Sequence, residues 1–118
     1  MMPAAEVLIQ TALLGEAVEA GPALVFVADE QMRYIAVNQF ACEALGYSRE
    51  ELLAMHVPDV AREPGAPAEY DEMLARGIRD GTALLTRKDG SKVEFFYRAA
   101  RTKVAGLSFF VSIGFLGD

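Results

Sequence analysis

The chain contains no tryptophan, one cysteine and one histidine in 118 residues, and each scarcity limits its chemistry. Cys42 alone cannot close an intramolecular disulfide, and small secreted domains usually carry an even set of cysteines, so a reducing, cytoplasmic setting is expected. His56 alone rules out a two-histidine metal site. No run of about 18 apolar residues is present, so no membrane span is expected. The opening MMPAAEVLIQ also lacks the basic start and small-residue cleavage site of a signal peptide. Seventeen acidic against eleven basic residues leave a formal charge of −6. The bases are scattered and form no face that could neutralise a phosphate backbone, so nucleic acid is a poor candidate for a direct partner. There is no Ser-His-acid spacing and no glycine-rich phosphate loop. The paired carboxylates Glu50-Glu51 and Asp71-Glu72 fall where solvated helix faces explain them, so the chain is not expected to be an enzyme.

What is present is one domain, long enough to remove roughly 65% of its unfolded surface from water. Residues 1–20 read as a flanking amphipathic helix and 21–118 as the domain proper. From Ala4 to Ala20 a helical stripe runs through Val7, Leu14 and Val18, with Ile9 and Leu13 on the opposite side. Two faces of this helix therefore want cover. Ala23 to Ala28 and Met32 to Val37 read as a hairpin around Asp29-Glu30-Gln31. A short helix follows and ends at Gly46, where a left-handed cap suits a residue without Cβ. Ser48 caps the next helix, with Glu51 completing a capping box. The proline-bearing stretch from His56 to Pro67 reads as an irregular connection. Helical spacing through Tyr70, Met73, Leu74 and Ile78 predicts a longer helix ending at Gly81. Three strands then follow: TALLTR, SKVEFFYRAART after the Lys88-Asp89-Gly90 turn, and LSFFVSIGFL beyond Ala105-Gly106. Strands at both ends of a helical middle imply an α+β domain with one antiparallel five-stranded sheet and the short helices on one face.

The strand LVFVAD, the strand YIAVN, then QFACEALGYSREELLAM and RKDGSKVEFFYRAAR before a long apolar last strand together resemble a PAS domain, over Gly21 to Phe115. That resemblance implies a sensory domain with a ligand pocket, and it allows cofactors to be checked by position. The light-sensing flavin subgroup carries a reactive cysteine where this chain has Val57. Its flavin-lining amides correspond here to Leu85, Phe95 and Gly114. Haem-binding relatives place a proximal histidine on the long helix, and AEYDEMLARGIRDG has none. No cofactor and no metal is therefore expected. Cys42 reads as a buried hydrophobe and His56 as a loop residue that could still touch a ligand.

The family register turns Phe95, Tyr97, Phe110, Ser112 and Gly114 toward the helices. Together with Phe26, Ala28, Phe40, His56, Val57 and Leu85 they are the candidate pocket lining, which suits a small, mostly apolar effector. Gly114→Leu would then plug the space. On the outer face Phe109, Val111, Ile113 and Phe115 form a stripe too apolar for water. The N-terminal helix is the nearest cover, with its Val7-Leu14-Val18 stripe on the sheet and Ile9 and Leu13 left over for another chain. A homodimer through helix and outer face is expected, coupled to a separate or fused output domain. The alternative is a ligand-free PAS module that only dimerises, and a remote alternative is a haem- or flavin-binding redox sensor. With no anchor for flavin or haem, the purified protein is expected to be colourless. A flavin or Soret absorbance band that survives desalting would overturn this.

Overall fold

Asn38 sits at the junction where strand becomes helix, and its amide accounts for much of the local geometry. The computed structural model describes residues 4–62 and 77–117. The Asn38 side-chain oxygen accepts from Val25 N at 3.0 Å and Ala41 N at 3.1 Å, while its Nδ2 donates to Val18 O at 2.7 Å and Ala23 O at 2.8 Å. One amide thus caps a helix, joins it to the first strand and ties down the end of the N-terminal helix. At 6% exposure such a group is tolerated only because every hydrogen-bonding capacity is met.

The elements in chain order are α1 (Ala4–Glu19), β1 (Leu24–Ala28), β2 (Tyr34–Val37), α2 (Gln39–Leu45), α3 (Arg49–Leu53), α4 (Val57–Val60), β3 (Ala61–Arg62), β4 (Ile78–Thr86), β5 (Lys92–Val104) and β6 (Leu107–Leu116). The strands form one antiparallel sheet in the order β2-β1-β6-β5-β4-β3, so the first strand pairs with the last. The sheet has six strands where five were expected, because Ala61 and Arg62 add a short rung opposite Leu85 and Leu84. No helix among the described residues is long and apolar enough to cross a membrane.

The capping predictions hold. Gly46 closes α2 in the left-handed region at φ 80°, its N–H donating to Cys42 O. Ser48 Oγ accepts from Glu51 N at 3.1 Å, and Ser48 N donates to Glu51 Oε1 at 2.9 Å. Lys88 reaches the same carboxylate at 2.8 Å. The hydrogen bond from Lys88 is the main reason the Glu51 carboxyl is held below its ordinary range.

Three boundaries differ from the sequence reading. The second strand starts at Tyr34, not Met32, because the Asp29 carboxylate accepts from Gln31 N at 2.9 Å and Arg33 N at 3.0 Å and holds Met32 at φ 64° in a turn. The connection after His56 is more regular than expected, since His56 N donates to Asp59 Oδ2 at 2.8 Å and starts α4. Ile78 to Gly81, read as the end of a helix, belong to β4 and pair with Ala100 to Tyr97. The ladder to β5 satisfies this backbone, so a helical spacing of apolar residues did not decide it. Gly77 before it is a bend at φ 78°, and residues 68–76 of that expected helix lie outside the described residues.

The core is the inner sheet face closed by Ala41, Cys42 and Leu45 of α2, Leu52 of α3 and Val60 of α4. Burial pushes the Cys42 thiol up, which disfavours the thiolate form. The register on β5 and β6 is as expected: Val93, Phe95 and Ala99 are buried, with exposed Glu94, Phe96 and Arg98 between them.

α1 does not cover the sheet as expected. Val7, Leu14 and Val18 are exposed along with Ile9 and Leu13, and the helix is fastened at its C-terminal end. There Glu19 accepts from Gln39 N and from Arg49 Nη2, the latter at 2.5 Å. Apolar residues on several sides of α1 are exposed, so the expected stripe is not buried against the sheet within one chain.

Asn38→Ala is expected to cost about 2–4 kcal/mol, one part the lost cap and the rest the stranded polar groups. Asn38→Asp is expected to cost a similar amount, although its oxygen can still cap α2, because a carboxylate would then face the Val18 and Ala23 carbonyls. Chemical denaturation measures both. An aspartate variant within about 0.5 kcal/mol of the parent, the scatter of an ordinary surface substitution, would mean that the two donor bonds contribute little.

Candidate ligand site on the inner sheet face

An antiparallel sheet covered on one side alternates buried and exposed residues, and on β1, β4, β5 and β6 the buried set converges under the helices. Phe26, Leu85 and Phe95 are almost fully buried in the main core cluster, with Phe40, Val57 and Tyr97 partly buried against it. Phe110 forms a second, smaller cluster with Ala99, and Tyr97 touches both. Ala28 is buried, while Ser112 is half-buried on the same face. Most of the expected lining is therefore brought together.

His56 is not. Its side chain is 52% exposed at the start of α4, 4.0 Å from Asp59, on the surface side of the connection. Gly114 faces inward as expected but offers no room. A Cβ there would overlap the Phe96 carbonyl oxygen and approach Tyr97 Cα to 2.7 Å. Gly114→Leu would therefore break the β5–β6 pairing instead of plugging a space.

The aromatic rings form a connected ladder. Tyr34 lies 5.5 Å from Phe26, Phe26 lies 5.5 Å from Phe95 edge to face, and Phe95 stacks on Tyr97 at 5.4 Å. Each such contact contributes about 0.5–1.5 kcal/mol beyond area burial, so the ladder stiffens the floor of the site.

Two members were missed in the sequence. Tyr34 begins β2 and is 4% exposed, and its hydroxyl has no hydrogen-bond partner among the described residues. Burial, with the charge of Asp59 adding to it, pushes this phenol well above its ordinary range. Its alternation in MRYIAV could have placed it inward, but the irregularity at Val27/Ala28 breaks the count. Arg79 was concealed by the helical reading. It lies half-buried on the inner side of β4, and its Nη1 donates to Tyr97 Oη at 2.5 Å.

Elsewhere, an open groove of about 430 Å³ separates the end of α2 from the β4–β5 turn, between Glu43–Gly46 and Arg87–Asp89. It is spanned by Arg87 Nε to Ala44 O at 3.1 Å and Lys88 N to Leu45 O at 2.9 Å, and neither sign of charge dominates its walls.

Tyr34→Phe removes a buried hydroxyl that has no partner among the described residues and is expected to stabilise the ligand-free protein by roughly 1–2 kcal/mol. The folded state holds the phenol neutral, with its pKa above the unfolded value of about 10, so stability is intact below that pH and falls as pH rises through it. The phenylalanine variant is expected to lose less stability there. Thermal melts across neutral and alkaline pH measure both effects. A lower midpoint at neutral pH for the variant would show that the hydroxyl is bonded in solution.

The fold can be placed among known ones. Residues 22–116 match the model of the PAS domain family. No curated protein matches the chain. Among solved structures, the chain is similar to a PAS domain from a two-component sensor histidine kinase, with 14% identity, 94% of this chain and 99% of that one covered, and a TM-score of 0.83. The PAS domain of an HTR-like protein from Haloarcula marismortui gives 22% identity, 95% coverage of each chain and a TM-score of 0.80. A domain of the sensory box sensor histidine kinase/response regulator from Geobacter sulfurreducens gives 21% identity, 92% and 96% coverage and a TM-score of 0.73. At these identities the structures show the fold alone, and the family match, together with a sheet whose first strand pairs with its last and a run of short helices on one face, establishes that the chain belongs to the PAS domain family.

Proposed function

We propose that this PAS domain is a cytoplasmic sensory module that dimerises through α1 and the outer sheet face and binds a small, mostly apolar effector on the inner face. Residues 1–20 serve as the dimerisation segment and 21–118 as the sensory domain. The signal passes to a separate or fused output domain, of the kind represented by the sensor histidine kinase whose PAS domain it resembles.

The observation that carries the dimer is the pair of uncovered apolar surfaces. Leu107, Phe109, Val111, Ile113 and Phe115 alternate along the outer side of β6, with Ile113 48% and Phe115 56% exposed. This row is about 27 Å long at ~3.4 Å per residue. α1, with Ile9 58% and Leu13 63% exposed, is about 24 Å long at 1.5 Å per residue. A helix apolar on several sides belongs in an interface, and each large side chain left in water forgoes roughly 1.5–3 kcal/mol. Charge agrees with this pairing. α1 carries Glu6, Glu16 and Glu19 and no base, whereas residues 95–117 hold Arg98, Arg101 and Lys103 and no acid.

The effector is supported by the Tyr34 hydroxyl, which has no hydrogen-bond partner among the described residues, since burying such a group costs about 1–3 kcal/mol that a polar group on a ligand would offset. The second reading, a ligand-free dimerisation module, is favoured by the ring ladder, which fills space by itself.

Ile9 and Leu13 changed together to Glu are expected to give folded monomers, because neither residue contributes to the core. Sedimentation of the parent chain at tens of micromolar, where a weak dimer of ~6–7 kcal/mol assembles, is expected to show a dimer. A monomeric parent, or an unchanged dimer in the double variant, would remove α1 from the interface.

A further inference from the structure

The β5–β6 hairpin outruns the sheet to which it belongs. β4 pairs with β5 only as far as Ala100, opposite Ile78, and β1 pairs with β6 only from Phe110 onward. Beyond these points Thr102, Lys103 and Val104 pair with Phe109, Ser108 and Leu107, and among the described residues they form no other ladder. The turn is Ala105-Gly106, at φ 52° and 81°, two left-handed residues that keep a hairpin tight. The result is an arm two strands wide that extends roughly 10 Å, three residues at ~3.4 Å each. Residues 101–107 are all exposed. A two-stranded arm is marginal in water without a packed face. This one carries its apolar pair, Val104 and Leu107, directly opposite each other and uncovered. Its charge is of one sign, with Arg101 and Lys103 on the arm and no acid from 95 to 117.

α1 presents the complementary pattern. Glu6, Ile9, Leu13 and Glu16 are spaced by three, four and three residues, which sets them on one helix face in the order acid, apolar, apolar, acid. All four are exposed. Within one chain neither surface covers the other, since Ile9, Leu13, Val104 and Leu107 all remain in water. α1 is fastened at Glu19, and the strand that follows it starts opposite Gly114, at the end of β6 away from the arm.

We propose that the arm docks on α1 of a second copy of this chain, with Val104 and Leu107 against Ile9 and Leu13 and with Arg101 and Lys103 beside Glu6 and Glu16. This rests on the reading of the chain as a dimer through α1 and names the surface that α1 meets. Charge selects this occupant over a second arm. Two arms laid edge to edge would gather four bases with no acid among them, whereas an arm on α1 joins two bases to two acids. Arg101 and Lys103 alternate with Val104 and leave the arm from its other side, but a ribbon two strands wide is narrow enough for their long stems to carry the charges round its edge. In a two-fold dimer the contact occurs twice, so both arms and both helices are used.

The test is a charge exchange read by sedimentation equilibrium of the full chain. One variant carries Arg101→Glu and Lys103→Glu, the other Glu6→Lys and Glu16→Lys. Each alone sets like charges together in both copies of the contact and is expected to dimerise about tenfold or more weakly than the parent. An equimolar mixture restores every opposite-charge pair, so heterodimers are expected within about threefold of the parent affinity. Val104→Thr with Leu107→Thr, which keeps strand-forming residues, is expected to weaken the dimer about tenfold and to leave the circular dichroism unchanged. A mixture that associates no better than its components, or arm variants that dimerise like the parent, would overturn the pairing while leaving a dimer through α1 in place. A parent that is monomeric at tens of micromolar removes the dimer reading and this inference with it. If circular dichroism shows that a double charge variant does not fold, the single exchanges Lys103→Glu and Glu16→Lys, mixed in the same way, decide the question.

Discussion

The fold depends on the side-chain amide of Asn38. In few other places does one group serve so many elements: its oxygen holds β1 and caps α2, and its nitrogen holds the chain before β1 and the last turn of α1. An unpaired amide in the core would be a liability of about 1–3 kcal/mol. A fully satisfied one instead specifies a single arrangement, because any shift of α1 relative to β1 breaks a bond that water cannot replace there. Arg49 and Glu19 add a second, more exposed tie at the same joint. α1 is thus fixed at one end, and its apolar surfaces are presented and not buried.

Much of this was legible in the sequence, and the reasons are local. Ser48 and Glu51, Gly46 and Asn38 are residues whose chemistry works over three or four positions, so their roles can be read without knowing the rest of the chain. The inward and outward sets on β5 and β6 follow from a period of two over ten or more residues. What could not be read depends on distant partners. Ile78 to Gly81 carry a pattern compatible with a helix and become strand because β5 offers them a ladder. Arg79 then turns to the inner face, a consequence no local signal contains. Gly114 was read as space because glycine is small. Its smallness is needed by the β5 backbone, and no spacing rule distinguishes the two.

The inner face balances packing against reception. Large rings at Phe26, Phe95 and Tyr97 meet one another closely enough to account for a filled core. At one end of the ring ladder stands Tyr34, whose buried hydroxyl has no hydrogen-bond partner among the described residues, and such a group costs free energy that a polar group on a ligand would offset.

The two faces share strands, which connects the proposed ligand to the proposed dimer. Tyr97 looks inward while its neighbours Phe96 and Arg98 look outward, and Arg98 is locked to Asp80 of β4 by paired bonds of 2.7 and 3.0 Å. Asp80 lies on this same stretch of β4, so a ligand on the inner face that displaced it would move the strand segment that holds this outer ion pair beside the apolar row. An effector can shift a dimer only by as much as its affinity differs between the two arrangements, typically about 1–3 kcal/mol. For an assembly as weak as one of ~6–7 kcal/mol, formed near ten micromolar, that is a change of roughly five- to 150-fold in the dissociation constant. Such a shift carries a marginal dimer from largely dissociated to largely assembled. A tight dimer would scarcely respond, so the moderate length of the apolar row and the single-ended attachment of α1 suit a sensor better than an obligate assembly.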